Sequence, residues 1–394
     1  MNPVPRRLSS RVTLALLLGA SSAIPLSAQR RAVEAGHGMV ASVHELASHA
    51  GVEILKKGGN AIDAAVATGF ALAVTYPNAG NLGGGGFMLI HLAEGSRQVV
   101  IDYRETAPAM ATPGMYLTPD GKIMSGVGSA RLGWRASGVP GTVAGFAEAF
   151  RKYGSGKVTW AEVIEPARRL AEGHVLTPGA VTTMRDAAAH LALFEESRRI
   201  YLNGGAGWKA GDTWRQPDLA ATLARLQADG PRDFYEGVTA QRIAAAMQAN
   251  QGTITLEDLR NYRAVERTPL RQSYRGHEIV VLPPPSSGGL TLLQLFAMIE
   301  PFDLRAMGQD SAAKYHLFVE AARGAFRDRI EYIGDPDHME VPVARLLDRK
   351  YLAARMADFD PQKATPSARV KPGLDLPAES DETTHYSIVD AQGN

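Results

Sequence analysis

The sequence predicts an α+β protein whose sheet is covered by helix, and three observations carry that reading. A helix that is apolar on nearly every side sits early in the chain, strand-like runs lie between amphipathic helices, and no internal repeat organises them. At 394 residues with 45% hydrophobic content the chain buries a large core, and length alone allows two or three domains. Its 42 Lys plus Arg balance 41 Asp plus Glu, so no field of one sign favours nucleic acid or an anionic membrane, and a small polar substrate fits better. There is no cysteine, which removes disulfides, cysteine nucleophiles and thiolate metal sites together.

Met1 to Ala28 reads as an export signal: Arg6, Arg7 and Arg11, an apolar run around Val12 to Leu18, then small residues ending in Leu26-Ser27-Ala28. Ser21, Ser22 and Pro25 interrupt a run already shorter than the roughly 20 residues of a spanning helix, so removal is favoured over anchoring. Arg6-Arg7 hints at twin-arginine export, although the residues after it fit that signal poorly, and the route stays open.

From Val40 to Leu55, Val43, Leu46, Ala47, Ala50, Ile54 and Leu55 fall at helical spacing, with Lys56 and Lys57 in the last turn and Gly58 closing it. Asn60 is placed to cap a second helix, Ala61 to Val74, whose all-round apolarity predicts burial. Gly86 to Leu92 and Gln98 to Tyr103 read as a hairpin around Glu94-Gly95-Ser96, ending at Arg104-Glu105. Helices follow over Thr142 to Tyr153, from the capping box Thr159 to Glu162, over Asp218 to Asp229 and over Ser311 to Glu331. Strand signal returns at Glu278 to Leu282 and in the last residues.

Four constellations invite chemistry. His44-Glu45-Leu46-Ala47-Ser48-His49 resembles a zinc helix, but a five-residue step turns the two histidines roughly 140° apart, and two polar residues on a helix surface is the better reading. Asn81-Leu82-Gly83-Gly84-Gly85-Gly86-Phe87-Met88 lacks the Lys-Ser/Thr of a nucleotide loop and opens a strand, so close backbone approach is favoured over a phosphate cradle. Pro283 to Gly289 is a rigid turn entering a helix from Leu290 to Ile299. Neither Ser286 nor Ser287 sits in a nucleophile elbow, and a helix cap is the expected job. Arg104 is an always-charged planar fork suited to a carboxylate, and an ordinary ion pair with Glu105 or another acid is equally consistent with the spacing.

The chain's last stretch is the most informative. Asp375 to Glu382 is polar and Pro-containing, the composition of a surface segment open to cleavage. From Thr383 a strand runs to Asp390, and Ala391-Gln392-Gly393-Asn394 supplies hairpin-loop chemistry with no returning strand, so the sequence reads as cut in mid-sheet with an unpaired terminal strand. Within a chain Thr383 only starts an edge strand. Placed first in a chain it carries its own base, because an α-amine of pKa about 7.7 to 8.0 accepts the hydroxyl proton near neutral pH.

Asp381-Glu382-Thr383-Thr384-His385-Tyr386-Ser387, with Val389-Asp390 and Gly393-Asn394, resembles the processing site of the γ-glutamyltransferases. Gly58 to Ala65, the glycine run to Met88, Arg104-Glu105, Gly138 to Thr142, the Pro283 to Gly289 turn and Tyr332 to Pro336 look like the same family, in its order, from about Gly36 onward. The resemblance implies an N-terminal-nucleophile hydrolase fold, an αββα sandwich, truncated here before most of the small subunit. It implies residues 1–28 as signal peptide, 29–382 as large subunit and 383–394 as the start of the small one. Cleavage between Glu382 and Thr383 makes Thr383 the nucleophile. Arg104 matches the arginine that holds the substrate α-carboxylate. Glutathione and other γ-glutamyl compounds are the implied donors, water, an amino acid or a dipeptide the acceptors, and the chain's own small subunit its partner. No metal or organic cofactor is implied. The localisation implied is periplasmic or secreted, and a chain lacking the rest of the small subunit is expected to be inactive alone. A glutaryl or cephalosporin acylase of the same fold, and a secreted non-catalytic binding protein, are the rival readings.

Overall fold

In the structure, a computed structural model, residues 32–366, 369 and 384–394 are described. The export-signal residues, Glu382 and Thr383 lie outside the described residues.

Local capping chemistry sets the first helices. Helix α1, Glu45–Lys56, starts at His44, whose Nδ1 accepts the Leu46 N–H at 3.3 Å. It ends at Gly58, at φ +92, whose N–H bonds the Leu55 carbonyl. The helix expected from Val40 therefore begins later. Gly38–Ala41 is instead strand β1, in which Met39 is exposed and Val40 buried, the alternation of a strand. Correspondingly, His44 is a cap rather than a residue on the helix surface, and only His49 lies exposed there, beside Glu45.

Helix α2, Ala61–Thr75, is buried at every residue. Asn60 Oδ1 accepts the N–H groups of Ile62 and Asp63, both at 3.0 Å, and Asp63 Oδ2 accepts that of Asn60 at 2.9 Å, completing a capping box. Thr68 and Thr75, polar yet buried, return their hydroxyls to the carbonyls of Ala64 and Ala71. Around α2 pack α1, α3 (Thr142–Tyr153) and α4 (Trp160–Glu172), with the Phe70 ring meeting Phe146 and Trp160 edge-on at 5.2 and 5.5 Å.

Beside this helical layer, β2 (Phe87–Leu92) and β3 (Arg97–Asp102) pair antiparallel, Met88 opposite Ile101, and β4 (Val265–Arg267) extends the sheet on the β3 side. Helix α5 (Pro217–Asp229) packs on α4 and stops at Gly230, φ +71, before Pro231, and α6 (Val238–Ala249) follows. The strand expected at Glu278–Leu282 is β6, His277–Val281, hairpinned to β5, Leu270–Tyr274. Helices α7 (Ser287–Ile299) and α8 (Ala312–Tyr332) close a second core around Met298, Leu317, Ala321 and Leu352. Ser286 occupies the N-cap position of α7 without a side-chain cap bond. Ser287 Oγ instead accepts from Arg329 Nε at 2.8 Å, because α8 delivers a guanidinium to that turn.

The last strand, β7, is Ser387–Asp390, and it is not unpaired: it lies antiparallel to β1, Gly38 opposite Asp390 and Ala41 opposite Ser387. The edge expected to be open is filled on one side by a strand from the other end of the sequence. Among the described residues no helix is long and apolar enough to cross a membrane.

Candidate active site

Arg104 follows β3 directly, and its backbone is gripped from two directions. Its N–H donates to Asp102 Oδ1 at 3.0 Å, and its carbonyl accepts from the Tyr262 hydroxyl at 2.8 Å. Asp102 is buried and ion-paired at 2.6 Å with Arg267 Nε, and that guanidinium also grips Asp337, so the carboxylate shaping the Arg104 turn is itself fixed. The Arg104 side chain is exposed and makes no ion pair with Glu105 or any other acid among the described residues. Of the two roles the spacing left open, the ordinary ion pair is the one not found among the described residues.

The glycine run has the structural role expected of it. Gly84 O accepts the N–H groups of Gly141 and Thr142 at 2.8 and 3.0 Å, so a carbonyl of the same chain occupies the start of α3. A β-carbon on Gly85 would stand 2.5 Å from the Tyr103 carbonyl oxygen and 2.8 Å from the Glu105 nitrogen, which only glycine avoids.

Four tyrosines form the wall behind Arg104. Tyr235 and Tyr262 stack at 5.8 Å, and the Tyr235 hydroxyl donates to Pro140 O at 3.0 Å while accepting the Ala144 N–H at 3.1 Å. Tyr103 packs edge-on to Phe146 at 5.7 Å, and its ring fills the space above Gly145. Tyr386 brings its hydroxyl oxygen to 3.0 Å from where a Gly69 β-carbon would be. Burial raises the pKa of all four phenols, that of Tyr386 to about 12, so they are neutral near pH 7. The always-charged group exposed here is the Arg104 guanidinium.

Thr384, Tyr386 and β7 carry the chain away from the expected nucleophile. The Thr384 hydroxyl oxygen is buried without a hydrogen-bond partner among the described residues, and His385 Nε2 lies 2.9 Å from Ser387 Oγ. Reasoning from sequence gave no role to Asp102, Tyr235 or Tyr262 and none of their own to Tyr386 and Asp390, because the contacts that bring Tyr262 and Tyr235 to Arg104 join residues far apart in the chain. A cavity of about 400 Å³ is lined by Gly83 of the glycine run and by Gly138, Pro140, Arg225 and Arg242. Neither Arg104 nor Thr384 lines it, so chemistry rather than volume locates the site. No group of three or more His, Cys, Asp or Glu among the described residues is arranged to hold a metal ion.

Helix-covered antiparallel sheets of this kind are shared with solved γ-glutamyltranspeptidases and cephalosporin acylase, which places the chain in the class of N-terminal-nucleophile hydrolase folds. The γ-glutamyltranspeptidase family's sequence profile matches residues 47–394, and the chain belongs to that family. It is 45% identical over 364 residues to the glutathione hydrolase proenzyme of Escherichia coli, covering 92% of this chain and 62% of the relative. It is 40% identical to the acylase ACY 1 proenzyme of Pseudomonas sp. strain V22, over 93% of this chain and 65% of that protein. The crystal structure of Helicobacter pylori γ-glutamyltranspeptidase superposes with a TM-score of 0.83 at 39% identity, covering 89% of this chain and 100% of that one. The chain thus spans somewhat under two thirds of the length of these curated relatives.

Proposed function

We propose that the full-length protein is an exported γ-glutamyl acyltransferase and hydrolase that matures by cutting itself ahead of Thr383. The proposed boundaries are a signal over residues 1–28, a large subunit over 29–382 and a small subunit beginning at 383. In maturation, Thr383 Oγ1 attacks the Glu382 carbonyl carbon, the peptide C–N bond breaks, and the hydroxyl proton passes to the departing nitrogen. Water then hydrolyses the ester, leaving a carboxylate on Glu382 and a free amine on Thr383. In turnover that amine takes the hydroxyl proton as Oγ1 attacks the γ-amide of glutathione or a related donor. The proton goes on to the leaving nitrogen, an amine departs, and a γ-glutamyl ester remains. Water resolves it to glutamate, or an amino acid or dipeptide amine takes the acyl group.

Arg104 carries this reading. Its guanidinium is exposed and without an ion-pair partner among the described residues, on a backbone held by Asp102 and Tyr262. A planar cation on a fixed support is what the α-carboxylate of a γ-glutamyl donor requires. The glutathione hydrolase name of the 45%-identical relative supports the donor class. The 40% identity to an acylase proenzyme supports the second reading, a glutaryl-amide acylase.

The test is the full-length protein with Thr383→Ala. The substitution is expected to abolish both the two-band pattern on denaturing gels and the release of p-nitroaniline from γ-glutamyl-p-nitroanilide. Unchanged processing and activity would remove the proposal, and faster turnover of glutaryl than γ-glutamyl amides by the wild type would move it to the acylase.

A further inference from the structure

The strand that follows the proposed nucleophile is fastened by a carboxylate at its far end. The capping box of α2 satisfies the N–H groups of Ile62 and Asp63 and leaves that of Ala61, the first helical residue, without a partner in the box. Asp390 Oδ2, at the end of β7, accepts it at 3.0 Å. The same buried carboxylate accepts the N–H groups of Gln392 at 3.0 Å and Asn394 at 2.9 Å, and Asn394 Nδ2 at 2.8 Å. Burial pushes the Asp390 pKa up, yet the hydrogen bonds from Asn394, Ala61 and Gln392 outweigh it and hold the group below its ordinary value, as an anion at a helix N-terminus should be. A second hold lies two turns along α2, where the Tyr386 hydroxyl sits over Gly69. Beside Gly69, Phe70 meets Phe146, which meets Tyr103, the residue before Arg104. Both the arginine and the nucleophile strand are therefore mounted on one fully buried helix.

We propose that Asp390 is a positioning residue for the reaction assigned above, fixing where Thr383 stands relative to Arg104 by locking β7 onto the start of α2. The inference rests on the γ-glutamyl reading and adds to it a residue that acts through the backbone rather than on substrate. A residue serving folding alone would change melting and leave the folded enzyme's rate constants untouched. A positioning residue changes the steps that use the Thr383 hydroxyl more than it changes donor binding, because Arg104 keeps its own supports.

The experiment compares full-length wild type, Asp390→Asn and Asn394→Ala. It follows the first-order rate of self-cleavage, kcat and KM for γ-glutamyl-p-nitroanilide, and near-UV circular dichroism. Asp390→Asn keeps the shape of the side chain and one acceptor oxygen. It is expected to slow self-cleavage and kcat by roughly 10- to 100-fold, with KM moving less than about threefold, since small displacements of reacting groups have that effect. Asn394→Ala, which removes the Nδ2 bond to Asp390 and keeps the backbone one, should show the same split with a smaller loss, and it decides the matter if Asp390→Asn does not fold. Folded variants with wild-type cleavage and kcat overturn the proposal while leaving the γ-glutamyl reading in place. A wild type that is never cut ahead of Thr383 overturns both.

Discussion

Replacing Arg104 with alanine separates binding from folding more cleanly than any other change in this protein. The side chain is exposed and unpaired among the described residues, while the hydrogen bonds that hold the segment come from its backbone N–H and carbonyl. Arg104→Ala keeps both, so the melting temperature should stay within the small range of surface substitutions, about 0.5 kcal/mol either way. The loss falls on the substrate. A bidentate, charge-assisted contact to a carboxylate is worth about 1.5 to 3 kcal/mol, and at about 1.4 kcal/mol per tenfold that predicts a drop of roughly 10- to 150-fold in kcat/KM. Because the contact exists before and during acyl transfer, most of the drop should appear as raised KM. Arg104→Lys keeps the charge without the fork and should recover only part of it. The assay is initial-rate kinetics on γ-glutamyl-p-nitroanilide with processed full-length enzyme, alongside a thermal melt. An unchanged KM, or a melt lowered by several degrees, would refute the reasoning and return Arg104 to a structural role.

Two further outcomes are expected. Gly145→Ala drives a methyl into the buried Tyr103 ring, which also packs edge-on against Phe146, and should cost about 1 to 3 kcal/mol in denaturant unfolding; an unchanged midpoint would show that the ring can move. His44 has its pKa lowered by burial and by the neighbouring His174, and His174 has its pKa lowered by burial. Folded histidines with depressed pKa bind fewer protons than the unfolded chain. Their stabilisation is therefore complete above about pH 6.5 and is lost as pH falls below it, by at most about 1.4 kcal/mol per pH unit for each ring. Protonation of His44 Nδ1 also removes the acceptor that caps α1. Replacing His44 with Asn, which caps without titrating, should flatten that part of the pH–stability curve, and a curve of unchanged slope would contradict the assignment.

What could be read from the chain alone was whatever is decided within a few residues. Asn60 as a cap and Thr159 with Glu162 as a box announced helix starts that the structure reproduces, Asn60 there gaining Asp63 as its box partner, and Glu94-Gly95-Ser96 announced the hairpin turn. The helical spacing from Val43 to Leu55 predicts a helix reaching back to Val40, whereas the helix starts at Glu45 and Val40 lies in β1. The fold overrides this since β7 offers β1 a partner from the opposite end of the sequence. The site divides the same way. Arg104 stood out by residue type and place, but its freedom from an acidic partner is a fact of three-dimensional arrangement. The tyrosine wall and the Asp390 bonds join residues far apart in sequence, where no local period exists to betray them. Ser286 illustrates the converse: local chemistry favoured a capping hydroxyl, and a guanidinium arriving from α8 engages Ser287 instead.

The pairing of β7 with β1 means that severing the backbone upstream would alter connectivity without setting anything adrift. Four residues stay zipped to the amino-terminal strand, and the Asp390 clasp grips a helix that solvent never reaches. The strand that follows a newly made terminus would keep the pairing it already has while the polypeptide is continuous. Under the proposed maturation, architecture comes first and reactivity is unveiled second, because the grip on β7 does not run through the bond to be cut.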